Sequence, residues 1–177
     1  MAELLLEILS EEIPSRMQKR AAEDLKRLIT GGLNKARLEF DGADTFATPR
    51  RLVLVVDGLP VQQPNLREER KGPKVGAPDK AVEGFLRSVN LDSLEQCEKR
   101  DAGKGEVWFA VIERPGEPTV HVLPEIINEV LVKFPWPKSM RWGSETHRWV
   151  RPVESILCLF DGIKVDGVAL NNVRAGV

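Results

Sequence analysis

Apolar positions in this chain change period several times, and each change marks an element. Residues 3 to 9 form a short apolar run that breaks at Ser10-Glu11-Glu12-Ile13-Pro14, which reads as a strand followed by a turn. Pro14 suits the opening of a helix, and the two acids suit its positive N-terminal end. From there Met17, Ala21, Leu25, Leu28, Ile29 and Leu33 recur at three- and four-residue steps, with the basic residues mostly around the rest of the cylinder. Leu38-Glu39-Phe40 reads as a brief strand, and Leu52 to Val56 as a longer one ending at Asp57-Gly58. Between Pro60 and Pro78 the alternation disappears into Pro, Gly, Gln and charged residues, which predicts a long exposed loop. Asp79 is placed to cap a helix carrying Ala81, Val82, Phe85, Leu86 and Val89. Residues 95–100 and 107–113 flank the turn-forming cluster Asp101-Ala102-Gly103-Lys104-Gly105 and predict a hairpin. A further helix is expected from Thr119 to Phe134, with Pro124 in or near its first turn. Two last apolar runs, 153–160 and 164–170, meet at Asp161-Gly162 as a second hairpin.

These elements predict an α+β fold: mixed, largely antiparallel sheets with two or three packed helices, dividing into two small lobes. The expected division is an N-terminal α/β lobe over 1–59, an exposed loop or linker over 60–78, and a second α+β lobe over 79–177, truncated at its C-terminal end. With 177 residues, 42% of them hydrophobic and 30% charged, the chain has the make-up of an ordinary globular protein that can bury a core. No apolar run approaches the ~20 residues a bilayer span requires, and the N-terminus lacks the basic region of a secretory signal. A cytoplasmic protein without membrane contact is expected. Cys97 and Cys158 are far apart and lack zinc-ligand spacing, and Cys158 reads as a small buried hydrophobe.

A formal net charge of −1 excludes a uniformly basic nucleic-acid coat and leaves room only for a local patch. The sequence offers one. Three of the four tryptophans fall between 136 and 149, interleaved with Lys138, Arg141, Arg148 and Arg151. Cations neutralise phosphates and indole faces stack on unpaired bases, so this composition suits RNA contact. It equally suits Trp142 and Trp149 as core or interface anchors, with the arginines paired to Glu145 and Glu154. Composition alone leaves both readings open. Arg50 and Arg51 stand at a strand entrance, where alternation points them to opposite faces, so only one is expected to reach a shared site. Glu11 and Glu12 read as dipole-favouring acids rather than catalysts, and no catalytic or metal-binding motif is complete.

Several stretches together resemble the N-terminal part of the beta subunit of the bacterial two-subunit glycyl-tRNA synthetase. They are Leu4 to Ile8 with Glu11-Glu12-Ile13-Pro14, Thr48-Pro49-Arg50-Arg51-Leu52, Lys71-Gly72-Pro73, Ala81-Val82-Glu83-Gly84-Phe85, Pro137-Lys138-Ser139-Met140-Arg141-Trp142-Gly143 and Val150-Arg151-Pro152. Order and approximate spacing match from end to end. The chain departs in having Leu9-Ser10 where the family usually has Gly-Thr, and in a shortened segment after Gly72-Pro73.

The resemblance implies a fragment of a much longer subunit, without the later domains that include the C-terminal anticodon-binding one. It implies partners: an alpha subunit in an alpha2-beta2 tetramer, and tRNA(Gly). The alpha subunit of that family carries the aminoacylation site, so ATP and Mg are expected there and no cofactor in this chain. The beta subunit serves tRNA binding and assembly; charge and position within the chain then single out Lys138, Arg141, Trp142, Arg148, Arg151, Arg50 and Arg51 as the candidate tRNA or subunit contacts. The alternative is a purely structural protein-interaction scaffold without direct RNA contact.

Overall fold

Alternation along the first nine-residue strand decides the architecture. In the computed structural model, which describes residues 1–101, 103 and 105–176, β1 (Ala2–Ser10) is hydrogen-bonded along both edges. One antiparallel neighbour is β3 (Arg51–Leu59) and the other is β7 (Val153–Phe160). The pairing aligns buried residues in rows across three strands: Val56, Leu4 and Phe160; Leu54, Leu6 and Cys158; Leu52, Ile8 and Ile156. Helices α1 (Ser15–Lys35) and α3 (Thr119–Val132) complete this core through Met17, Ala21, Leu25, Ile29 and Leu33 from the first, and Leu123, Ile127 and Leu131 from the second. The opposite face carries Leu5, Val53, Val55, Leu157 and Leu159, all half-buried.

The sheet continues outward through β2 (Gly42–Ala47) beside β3. On its other side β10 (Val173–Gly176) runs parallel to β7, followed by β9 (Ala169–Leu170), while β8 (Ile163–Lys164) forms a short hairpin with β7. These elements make one compact unit, residues 1–63 together with those from Glu117 onward. At the junction Thr119, a fully buried polar residue, donates its hydroxyl to Pro60 O at 2.6 Å, so α3 starts with no orphaned side-chain oxygen.

Residues 64–116 form the second unit, with strand order β4 (Leu66–Lys74), β6 (Glu106–Arg114), β5 (Cys97–Asp101) and helix α2 (Asp79–Val89). Arg100 ties its strands together on the exposed surface, donating to Glu69 at 2.9 and 3.0 Å and to Glu98 at 2.6 and 3.0 Å. Those donated bonds hold the Glu69 carboxyl below its ordinary range. Gly72 lies so close to the Phe85 ring of α2 that an added Cβ would meet it at 2.6 Å. Two stretches that carry the family resemblance, Lys71-Gly72-Pro73 and Ala81 to Phe85, are therefore halves of one packing contact.

The α+β class with largely antiparallel sheets is as expected, but several details differ. The 60–78 stretch is not a loop, since β4 occupies most of it. An edge strand can be almost wholly charged, and Pro73 falls where the β4–β6 register shifts, between Lys71 and Lys74. Residues from 117 onward do not join the second lobe, because β7 pairs with β1. Leu38 to Phe40 are not a strand; β2 follows them. Asp79 is the first helical residue, behind an N-cap at Pro78. Pro124 lies inside α3, beyond its first turn, and α3 stops before Phe134. The run 164–170 breaks into β8 and β9, and residues 173–176, which carried no signal, form β10. The expected hairpin turn at 101–105 includes Ala102 and Lys104, which lie outside the described residues.

Two stability measurements check this packing. In α1 a Cβ at Gly31 meets nothing within 4 Å, whereas one at Gly32 would lie 2.4 Å from Ile126 Cγ2. In denaturant titration Gly31→Ala should gain about 0.5–1 kcal/mol through helix propensity. Gly32→Ala should instead lose about 1–2 kcal/mol, because overpacking reverses the sign. The second concerns Cys158, whose thiol burial pushes up from 9.0 to about 12. Below pH 9 the thiol is protonated whether the chain is folded or not. Above it the unfolded thiol ionises first, so stability should decline as pH rises towards 12, and Cys158→Val should remove that component of the slope.

Candidate functional site

The chain between α3 and β7 is an irregular connection held by aromatic packing. Phe134, Trp136 and Trp149 form a closed trio, with ring centroids 4.7, 5.0 and 5.1 Å apart. Trp149 is fully buried and Trp136 half-buried. Both indole N–H groups are sealed from solvent without an acceptor among the described residues. Each such group costs about 1–3 kcal/mol, which ring packing has to outweigh. From this base, residues 140–149 project as a loop closed by backbone hydrogen bonds in both directions between Met140 and Trp149, at 2.8 and 3.1 Å. The side-chain amide of Asn171 grips the far side. Its Oδ1 accepts from His147 N at 3.0 Å, and its Nδ2 donates to His147 O at 3.3 Å.

The cations of this loop and of the segment leading into it divide into two kinds. Arg148 is internal bracing: Nε donates to Ser139 Oγ at 3.1 Å and Nη2 to Ser139 O at 2.6 Å. Lys138 and Arg141 are exposed, and their side chains have no ion pair or hydrogen bond among the described residues. Trp142 is half-buried and packs on the core. The sequence reading in which these arginines pair with Glu145 and Glu154 does not match. Glu154 is taken by Arg50, and Glu145 has no ion pair among the described residues.

A second group of candidates gathers at the adjacent end of the sheet. The chain leaves β1 as it passes the entrances of β3 and β7, with Ser10 N donating to Arg50 O at 2.9 Å and Glu11 N to Pro152 O at 3.0 Å. This register draws Glu11, Glu12, Arg50 and Arg151 around one open cleft of about 310 Å³. Arg50 reaches Ser10 O through Nε at 3.3 Å and the Glu154 carboxylate through Nη2. Arg151 donates only to its neighbour's carbonyl, Val150 O, at 3.0 Å. Arg51 lies outside this cleft, 3.7 Å from Glu7.

The predicted residues therefore do not form one site. Arg141, Trp142 and Arg148 belong to the loop, Lys138 to the segment leading into it, Arg50 and Arg151 to the cleft, and Arg51 to none of these. Glu11 and Glu12 precede α1, which begins at Ser15, and they line the cleft. Sequence reasoning missed Arg16 and Arg20. They looked like a solvated helix face, yet they stand beside Phe134 and Trp136. No signal in the sequence links positions so far apart. Among the described residues no group of three or more His, Cys, Asp or Glu side chains is arranged to hold a metal ion. No described helix is long and apolar enough to cross a membrane.

Comparison with known proteins bears on the whole described fold. The family model for the glycyl-tRNA synthetase beta subunit matches residues 4–176. The glycine–tRNA ligase beta subunit of Rhodospirillum centenum is 54% identical over 167 residues, covering 94% of this chain and 23% of that relative. The corresponding subunits of Ruegeria sp. and Paracoccus denitrificans are 52% and 50% identical over 184 residues, covering 99% of this chain and 27% of each relative. The chain thus spans about a quarter of the length of the curated relatives it matches, and the shared part is their N-terminal region. With the family model matching almost the whole chain and relatives at least half identical along it, the chain belongs to the glycyl-tRNA synthetase beta subunit family.

Proposed function

We propose that this region helps the beta subunit of a glycine–tRNA ligase to bind tRNA(Gly) and to assemble with an alpha subunit in an alpha2-beta2 tetramer. The tetramer carries out ATP-dependent aminoacylation in the cytoplasm. ATP and Mg act in the alpha subunit, and this region contributes contacts rather than catalysis. The observation that carries the RNA half of this reading is the pair of unpartnered cations, Lys138 beside the Phe134–Trp136 packing and Arg141 on the loop that Trp149 and the Asn171 clamp hold. Cations already bound to carboxylates would have to give up those bonds to meet phosphate; these two give up only water.

A different observation favours the scaffold alternative. Phe46 is 59% exposed and pairs with Val53, extending the half-buried row of the outer sheet face. Aromatic and apolar surface of this kind suits a protein partner better than a phosphate backbone. In the proposed function this face serves assembly, while the loop serves RNA.

The complete ligase separates the two readings. Replacing Lys138 and Arg141 with Ala should weaken tRNA binding and lower the slope of log affinity against log salt by about 1 for each phosphate contact removed. Unchanged affinity and slope would take both residues out of the RNA interface. If the Arg141→Ala subunit instead fails to co-elute with alpha while its own tRNA affinity holds, the scaffold reading is the right one.

A further inference from the structure

A cavity of about 290 Å³ opens between the first turns of α1 and residues 134–138, within the first unit. Its lining is unlike that of the sheet-end cleft. Met17, Ala21 and Phe134 supply a buried apolar floor, and Trp136 stands beside them. The N–H edge of Trp136 is sealed off, so the surface it offers the cavity is hydrocarbon. Contacts with Phe134 and Trp149, at centroid distances of 4.7 and 5.1 Å, fix the ring before any ligand arrives. Little side-chain entropy remains to be lost on binding.

The rim is cationic. The side chains of Arg16 and Lys138 are exposed and have no ion pair or hydrogen bond among the described residues. The lining also holds one carboxylate, Asp24, which faces Arg20 at 3.6 Å and Arg27 at 2.7 Å. Its charge is therefore answered twice over.

A rigid aromatic wall with two uncommitted cations at the mouth matches a flat ring system with negative charge attached a short distance away. A nucleotide has that form, and a cavity of this volume holds little more than one base. We propose that the pocket receives a single unpaired nucleotide of RNA, its base against Trp136 and its flanking phosphates on Arg16 and Lys138. This rests on the tRNA-binding reading above and deepens it: the RNA is held by an extruded base as well as by its backbone.

The test uses the complete ligase and a short single-stranded oligomer of abasic nucleotides carrying one central 2-aminopurine, beside the same oligomer abasic throughout. The oligomer with the base should bind about tenfold more tightly than the abasic one, the yield of stacking one base. Trp136→Leu should erase that difference. Arg16→Ala, a surface change that leaves the core untouched, should weaken both oligomers and lower the salt slope by about 0.7. Equal binding of the two oligomers, or a difference that survives Trp136→Leu, overturns the pocket while leaving backbone contact with tRNA intact. So does a ligase that binds tRNA but neither oligomer. If the ligase binds neither oligomers nor tRNA, the underlying reading falls too. Oligomer binding by the beta subunit alone that disappears when alpha is added would make the pocket a protein interface, against the proposal.

Discussion

The pairing of β1 on both its edges is the constraint from which the rest of the first unit follows. Leu4, Leu6 and Ile8 are 0–1% exposed, and each sits in a row between a buried residue of β3 and one of β7. Each buried side chain contributes about 1.5–3 kcal/mol. A slip of one residue would turn all three to the outer face, so the register is strongly specified. That register also sets the chemistry at the strand ends. It brings Glu11 and Glu12 past the entrances of β3 and β7, where Arg50 and Arg151 stand. The cleft is a consequence of the core pairing rather than a separately built feature.

Aromatic packing has the corresponding role for the 140–149 loop. A loop without a stable base loses conformational entropy whenever it binds, at about 1–2 kcal/mol per backbone residue ordered. Here the two ends are joined at Met140 and Trp149, the far side is gripped by Asn171, and Trp149 is buried completely. The two readings that composition left open, core tryptophan and functional patch, thus describe different residues of one stretch. Trp149 and Arg148 hold the loop, while Lys138 and Arg141 remain uncommitted.

What the sequence made legible follows from local physics. The short apolar run of β1, the three- and four-residue steps of α1 and the β-branched run of β3 each report burial, and all three elements formed where expected. β4 was illegible because both its faces are largely polar; pairing with β6 makes it a strand, and that pairing leaves no mark on the local pattern. β10 was missed for a similar reason, since a parallel partner across a long connection cannot be read from four residues. For the candidate site, the sequence pointed to the basic and tryptophan-rich stretch but not to its division into two clusters. Nor could it join Arg16 to Trp136, which only the packing of α1 beside the 134–138 segment brings together.

The central functional claim is that the 138–148 stretch, fixed by buried aromatics, presents its free cations to tRNA. Hydrogen exchange on the complete ligase, with and without tRNA(Gly), addresses it most directly, because it reads the loop residue by residue without altering it. The account predicts that tRNA slows exchange of amides between 138 and 148 while those of β5 and β6 remain unchanged. Exchange across 138–148 that is indifferent to saturating tRNA would contradict it.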